Sequence, residues 1–262
     1  MNFILRKISI ALVYIIMVVT NYLANALPIN NIDTGAVSGL YPNLFAPAGI
    51  TFSIWGIIYL MLGLFVLYQF GVFKKINLKE DKLLNKIGIY FIISSIANAL
   101  WIFSWHYGIL WLSIILMLTI LLSLIKINLL LLKNKSKEFL FLKIPFSIYF
   151  GWITVATIAN ITAFLVSLSW NGFGISENIW TIVILFVGAI IGILTSIRNK
   201  DIVYILVFVW AYFGIIIKHI SSVGFNNQYP EIITATAICI VTFFITVGFI
   251  LYKKYKLKKL KN

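Results

Sequence analysis

Large aromatic rings recur at helical spacing in this chain, together with amides and small residues. Spacings of i, i+3, i+7 or i, i+4, i+8 bring side chains to one side of a helix. Bulky rings next to Gly and Ala suit a cleft in which a flat apolar ligand is stacked, and this is binding chemistry, not bond making. The faces with this pattern are Phe52, Trp55 and Tyr59; Asn98, Trp101 and Trp105; and Trp152, Ala156 and Asn160.

Long apolar segments must position these faces. The chain is 62% hydrophobic and only 11% charged, which is the composition of a membrane protein. A helix needs about 20 apolar residues to cross the hydrocarbon core, and strand-like alternation is absent, so we predict helices. The predicted spans are Ile8–Ala26, Gly49–Phe73, Ile87–Trp105, Ile109–Ile125, Ile144–Leu168, Ile179–Ile197, Ile202–Ile217 and Ile232–Tyr252.

The basic residues predict the orientation of these spans. Twenty of the 21 Lys and Arg residues lie before the first span or in alternate gaps after it, and Lys218 is the exception. Basic residues near span ends mark the cytoplasmic face. We therefore predict a multi-pass protein of the plasma membrane with cytoplasmic N- and C-termini. The net charge of +14 is explained by this topology, and we expect no nucleic-acid partner.

The first span allows two interpretations. Arg6-Lys7, an apolar run and Ala24-Asn25-Ala26 fit a cleavable signal peptide. The same run also carries Tyr14 and Asn21, which a discarded peptide would not need. The sequence leaves retention and cleavage open.

Interfacial anchoring and helix packing both compete with a ligand cleft as roles for these side chains. Trp and Tyr gather in belts at membrane interfaces, which accounts for Tyr107, Trp111, Trp170 and Trp180, whereas Trp55, Trp101 and Trp152 lie too deep for a belt. Asn98 and Asn160 also suit plain helix packing through hydrogen bonds between helices. The sequence alone leaves packing and ligand binding open.

The residues that ion coupling, metal binding and catalysis usually require are mostly missing from the sequence. No span contains Asp or Glu, which are the usual parts of proton relays and ion-coupling sites. Cys239 is the single cysteine, and His106 and His219 are far apart without carboxylate companions, so we expect no metal site. Nucleophile–base pairs are also absent, so we assign no catalytic residues. An enzyme that acts on a lipid or pigment remains a weak alternative.

Three stretches carry a family resemblance. The segment Phe45-Ala-Pro-Ala-Gly-Ile-Thr-Phe-Ser-Ile-Trp-Gly-Ile-Ile-Tyr59 resembles the second-helix signature of the TspO/MBR family, the tryptophan-rich sensory and translocator proteins. Asn98-Ala-Leu-Trp101, followed by Trp105, resembles the third-helix signature, and the stretch from Trp152 to Asn160 is similar to the fifth. The resemblance covers about residues 8–170, and the last three spans lie outside it.

The resemblance implies a fold, a ligand class and a site. It implies an all-α integral membrane protein with eight transmembrane helices, of which the first five form a TspO-like bundle. The first domain would be the five-helix bundle, residues 1–170. The second, residues 171–262, would contain three additional helices and a basic tail. The implied ligand is a tetrapyrrole such as protoporphyrin or haem, held in the outer half of the membrane. The implied ligand-binding residues are Phe45, Pro47, Phe52, Trp55, Tyr59, Asn98, Trp101, Trp152, Ala156 and Asn160.

The resulting hypothesis is binding of a planar hydrophobic ligand for sensing or transport. Some family members are reported to degrade porphyrin, but we do not predict an enzyme. We expect no required cofactor, and as partners the lipid bilayer, a hydrophobic small molecule and a second copy in a homodimer. The alternative from another class is a small-solute transporter that uses all eight helices.

Overall fold

The protein is described by a computed structural model that covers residues 3–27, 29–134 and 138–259. Within these ranges the regular elements are helices. Eight of the described helices are long and apolar enough to cross a membrane, so the predicted all-α membrane fold is confirmed. The α-helices are α1 (Phe3–Ala26), α2 (Thr34–Gly39), α3 (Ile54–Gln69), α4 (Leu78–His106), α5 (Leu110–Lys133), α6 (Ile144–Ser167), α7 (Glu177–Asn199), α8 (Ile202–Ile220) and α9 (Pro230–Lys259).

The start of α4 differs from the sequence prediction. Hydropathy predicts Ile87, but the helix begins at Leu78 because Asn77 and Glu80 form a capping box, in which each side chain bonds the other residue's backbone N–H. A helix of 29 residues is about 44 Å long. This exceeds the roughly 30 Å of hydrocarbon, so the charged first turns of α4 extend beyond the apolar layer.

The fifth span also begins earlier than predicted. A π-helical turn, Phe139–Lys143, leads directly into α6. Lys143 and Ile144 donate to the carbonyls of Glu138 and Phe139, and the series of π-type bonds stops at Pro145, the second residue of α6, because proline has no N–H. The span therefore runs from Phe139 to Ser167 instead of starting at Ile144.

The helices group into two compact units. Unit 1 contains Met1–Tyr41 and Ser53–Phe164, and unit 2 contains Pro42–Phe52 and Leu165–Asn262. Residues 42–52, which the sequence motifs join to the first helices, thus group with the last three helices.

The core of unit 1 contains a set of edge-to-face rings. Phe65 of α3 lies 5.1 Å from Phe91 of α4 and 4.8 Å from Phe146 of α6 by ring centroids. All three rings are buried, and such tilted geometry is preferred over face-to-face stacking. These rings hold three helices together in the middle of the unit.

One end of unit 1 is held by charged groups. The Arg6 guanidinium is nearly fully buried and lies 2.5 Å from the Asp81 carboxylate. Lys74, in the connection between α3 and α4, pairs with both Glu138 and Glu80. The hydrogen bond to Glu138 has the largest effect on the pKa of Lys74, and the bond to Glu80 adds to it. Both raise this pKa above its ordinary value. We call this end of unit 1 the charged end.

The other end of unit 1 is covered by the connection that follows α1, and we call it the covered end. His106, the last residue of α4, bonds the Ile29 carbonyl through Nδ1 and the Thr34 hydroxyl through Nε2, each at 3.0 Å. The Asn30 amide donates to the His106 carbonyl. Residues 29–34 are therefore tied to the end of α4.

Unit 2 is built around α8. The rings of Phe208 and Tyr212 on α8 pack against Phe243 of α9, with centroids 5.9 and 5.0 Å apart. The Tyr212 hydroxyl donates to the Leu185 carbonyl of α7. A Cβ built at Gly192 of α7 would lie 2.9 Å from the Phe208 ring, so the lack of a side chain there allows α7 and α8 to pack closely.

Candidate functional site

The candidate site begins on α3. Trp55 and Tyr59 are four residues apart, one turn of helix, and their rings stack with centroids 5.5 Å apart at an interplanar angle of 18°. Both residues are half-buried. The predicted spacing of Trp55 and Tyr59 is therefore present on α3, whereas Phe52, the third residue of the predicted face, lies in a 3-10 helix, Gly49–Ser53, before α3 begins.

Trp55 is surrounded by rings from two other helices of unit 1. Trp101 of α4 lies 6.3 Å away, and Tyr149 and Trp152 of α6 lie 6.1 and 6.2 Å away in edge-on orientations. We call Trp55, Tyr59, Trp101, Tyr149 and Trp152 the Trp55 ring cluster. The indoles of Trp101 and Trp152 are buried, at 5% and 3% exposure, whereas Trp55 is only half-buried. Trp55 is therefore more accessible than the two tryptophans that pack against it.

Asn98 fixes one side of this cluster. Its carbonyl oxygen accepts a hydrogen bond of 2.8 Å from the Asn21 amide of α1. Its own amide donates to the Tyr149 hydroxyl at 3.2 Å. Asn98 is fully buried, so this chain of bonds holds Tyr149 in place from two helices.

Asn160 holds another ring of the cluster. Its carbonyl oxygen accepts a 3.0 Å hydrogen bond from the Trp101 indole, and its amide donates to the Ser113 hydroxyl of α5 at 2.8 Å. Asn160 is 2% exposed. Both amides therefore bond across helices, as helix packing through polar side chains requires, and the groups that they orient are the rings.

A second pair of rings leads from the cluster to the covered end. Trp101 stacks on Trp105 with centroids 5.7 Å apart. The Trp105 indole donates to the Thr34 carbonyl, and its ring lies 6.2 Å from Tyr41. The ring cluster is thus continuous with the segment that covers this end of unit 1.

The first helix is part of the same unit. The Tyr14 hydroxyl donates to the Tyr59 carbonyl at 2.9 Å. A Cβ built at Gly63 would lie 2.7 Å from the Tyr14 oxygen, so the glycine makes room for this bond. With Asn21 on Asn98, these contacts pack α1 against α3 and α4.

The predicted site residues divide between the two units. Ala156 is half-buried on α6, one turn after Trp152. Phe45, Pro47 and Phe52 belong to unit 2, where Phe45 is buried at 1% exposure. Unit 1 contains the other predicted residues, which are Trp55, Tyr59, Asn98, Trp101, Trp152, Ala156 and Asn160.

Sequence reasoning missed several partners in this region. Tyr149 shares a helix face with Trp152, but its place in the cluster depends on Asn98. Ser113 is a small polar residue in an apolar helix, and no spacing signal distinguishes it from its neighbours. The sequence gives His106 no role beyond the absence of a metal site, whereas in the structure its imidazole bonds Ile29 and Thr34. Among the described residues, no group of three or more His, Cys, Asp or Glu side chains could hold a metal ion.

The Trp55 ring cluster is suited to binding and not to acid–base work. Its side chains are indoles and phenols, oriented by neutral amides. The Tyr59 hydroxyl is buried without a hydrogen-bond partner among the described residues. On the same helix, a Cβ built at Gly56 meets no atom within 4 Å, so the surface beside Trp55 is open there.

Comparison with known families gives one match. The model of a family described as TSPO-like protein matches residues 7–249. Comparisons with curated proteins and with solved structures gave no match. The matched range reaches from α1 into α9, so it includes the three helices that the sequence resemblance did not cover.

Proposed function

Because the chain belongs to the TSPO-like family, we propose that its Trp55 ring cluster binds a planar hydrophobic ligand of the tetrapyrrole class, such as protoporphyrin or haem. The observation that supports this proposal is the half-buried Trp55 indole, packed edge-on against buried rings of α6. A tetrapyrrole is a large apolar plate, and a plate stacks well on an indole face.

The fixed rings favour affinity. Trp101 is held by Asn160, and Tyr149 is held by Asn98. Rings that are already oriented lose little side-chain freedom when a ligand arrives, and this lowers the cost of binding. In this proposal the two amides orient the rings, and the ligand contacts the rings.

Tyr59 supplies a polar group to the same site. Its hydroxyl has no hydrogen-bond partner among the described residues, and leaving a buried hydroxyl unpaired costs free energy. A pyrrole nitrogen or a carboxylate of the ligand would pair with it. A few placed polar groups in an apolar site are what usually fix ligand orientation.

The proposed location is the plasma membrane, with both termini in the cytoplasm. The distribution of Lys and Arg supports this orientation. The covered end of unit 1 and the Trp55 ring cluster would then lie toward the outside. A ligand bound there would be received from the outer leaflet or the outer medium, for sensing or for transport.

Titration of protoporphyrin IX into the detergent-purified protein tests the proposal. Binding should quench tryptophan emission with saturation, and the double variant Trp55→Ala with Trp152→Ala should lose that saturable part. The matched control is Trp111→Phe, which removes a 59% exposed indole and should keep the saturable quench. A wild-type titration that rises linearly, as simple partition into detergent does, would rule the proposal out.

The eight-helix transporter remains the second candidate. The family match spans all eight long helices, as a transporter that uses them all requires. Single cysteines introduced into a Cys239→Ala background and labelled from each face separate the two ideas. A transporter should show positions that are reachable from either face in alternation, whereas a simple binding protein should not.

A further inference from the structure

Residues 42–52 run along α8 within unit 2. The Trp210 indole donates to the Thr51 carbonyl at 2.9 Å, and the Ala48 N–H donates to the Gly214 carbonyl at 2.9 Å. Further along α8, His219 Nε2 bonds the Leu44 carbonyl at 2.9 Å. From Trp210 to His219 is about 14 Å of helix, so α8 is bonded to both ends of this segment.

Leu44 is held from two helices. Its carbonyl accepts from His219 of α8, and its N–H donates to the Glu177 carboxylate of α7 at 3.0 Å. The imidazole of His219 is buried and lies 4.7 Å from the Phe225 ring and 5.9 Å from the Tyr229 ring. These rings keep the imidazole in the orientation that reaches Leu44.

Gly214 allows the segment to approach the helix backbone. A Cβ built there would come within 2.8 Å of Thr51 Cγ2 and 2.9 Å of Thr51 Cβ. Such distances are closer than van der Waals contact allows. With any larger residue at 214, Thr51 must move, and the bond from Ala48 to the Gly214 carbonyl would be lost.

The segment is also ordered internally. The Asn43 side-chain oxygen accepts from the N–H groups of Phe45 and Ala46, which is a turn that asparagine stabilises well. The Thr51 N–H donates to the Ala48 carbonyl. The external bonds to α7 and α8 therefore hold a segment that already has a defined shape.

We propose that Trp210, Gly214 and His219 are positioning residues that hold residues 42–52 in the conformation required for ligand binding. This gives α7 and α8 a role that the sequence did not provide. The inference rests on the proposed function, because the segment contains Phe45 and Pro47, two of the predicted ligand-binding residues.

The experiment measures the segment directly and the ligand separately. Ala46, half-buried in the segment, is changed to Cys in a Cys239→Ala background, and its rate of maleimide labelling is followed in detergent. Into this protein we introduce Gly214→Ala, and as the matched control Gly248→Ala, whose added Cβ would meet no atom within 4 Å. Gly214→Ala should increase the labelling rate severalfold and weaken protoporphyrin IX binding about tenfold, the effect of one or two lost hydrogen bonds.

Rescue variants exclude a general loss of structure. The double change Gly214→Ala with Thr51→Gly removes the colliding atoms and should restore slow labelling and much of the affinity. Should Gly214→Ala fail to fold, His219→Leu provides the same test. Its rescue is His219→Gln, whose amide can still donate to the Leu44 carbonyl.

The outcomes separate this inference from the proposed function. If the wild-type protein does not bind protoporphyrin IX, the proposed function is refuted. The labelling rates still decide whether α8 holds the segment. Labelling in Gly214→Ala and His219→Leu at the rate of the Gly248→Ala control would overturn the inference. So would unchanged ligand affinity in variants that label fast.

Discussion

Asn160 offers the most direct test of the ring cluster. The change Asn160→Leu keeps the side-chain volume but removes the acceptor of the Trp101 indole and the donor to Ser113. Hydrogen bonds between membrane helices contribute about 0.6 kcal/mol on average and up to roughly 1.7, and an orphaned buried donor costs about 1–3 kcal/mol. We expect a loss of about 2 kcal/mol in the free energy of unfolding.

The assay is thermal unfolding in detergent, followed by circular dichroism. About 2 kcal/mol corresponds to a decrease in Tm of roughly 4–8 °C for a protein of this size. The matched control is Asn134→Leu, because Asn134 is exposed and its side-chain amide donates to the Leu130 carbonyl of its own helix. That change should move the Tm by no more than about 1 °C.

A double-mutant cycle assigns the effect to one bond. Trp101→Phe removes the same hydrogen bond from its donor side, so the double variant should cost less than the sum of the single variants by about 1 kcal/mol. Two results would refute the reasoning: a Tm for Asn160→Leu within about 1 °C of wild type, or costs that simply add. Either would mean that Asn160 does not hold Trp101.

Three further predictions follow from unit 1. Gly63→Ala should melt below the control Gly56→Ala by about 2–4 °C, because the new methyl displaces the Tyr14 hydroxyl; equal melting temperatures would contradict that contact. Asp81→Asn should destabilise the protein by about 2–3 kcal/mol, since it removes the anion that faces the buried Arg6. Denaturation of wild type and variant in the same detergent tests this. High salt should not destabilise the wild type to the same extent. The intact mass of the purified protein should include α1, and a mass that begins after α1 would remove the amide that bonds Asn98.

The sequence predicted the helical membrane fold well, because the length and composition of each apolar segment are local properties of the sequence. Composition and span length are enough for eight apolar helices, and the spacing of Trp55 and Tyr59 is enough for a stacked pair. The predicted start of α4 was wrong because the prediction used hydropathy alone. The helix begins earlier, where Asn77 and Glu80 form its capping box.

The site was harder to predict, because it depends on which helices touch. Nothing in the sequence around Asn160 identifies Ser113 as its partner, since many small polar residues would fit. The grouping of residues 42–52 with α8 was equally hidden, because Leu44 and His219 are 175 positions apart. Backbone groups carry much of that contact, and backbone groups leave no trace in a pattern of side-chain types.

That dependence on backbone groups has an evolutionary consequence. α7 and α8 bind the backbone N–H and carbonyl groups of Leu44, Ala48 and Thr51. Every residue other than proline has both of these groups. Apart from Asn43 and Thr51, side chains along the segment can therefore vary without loosening its attachment. We expect homologues to vary at Ala46, Pro47 or Ile50 while the glycine facing Thr51 stays fixed.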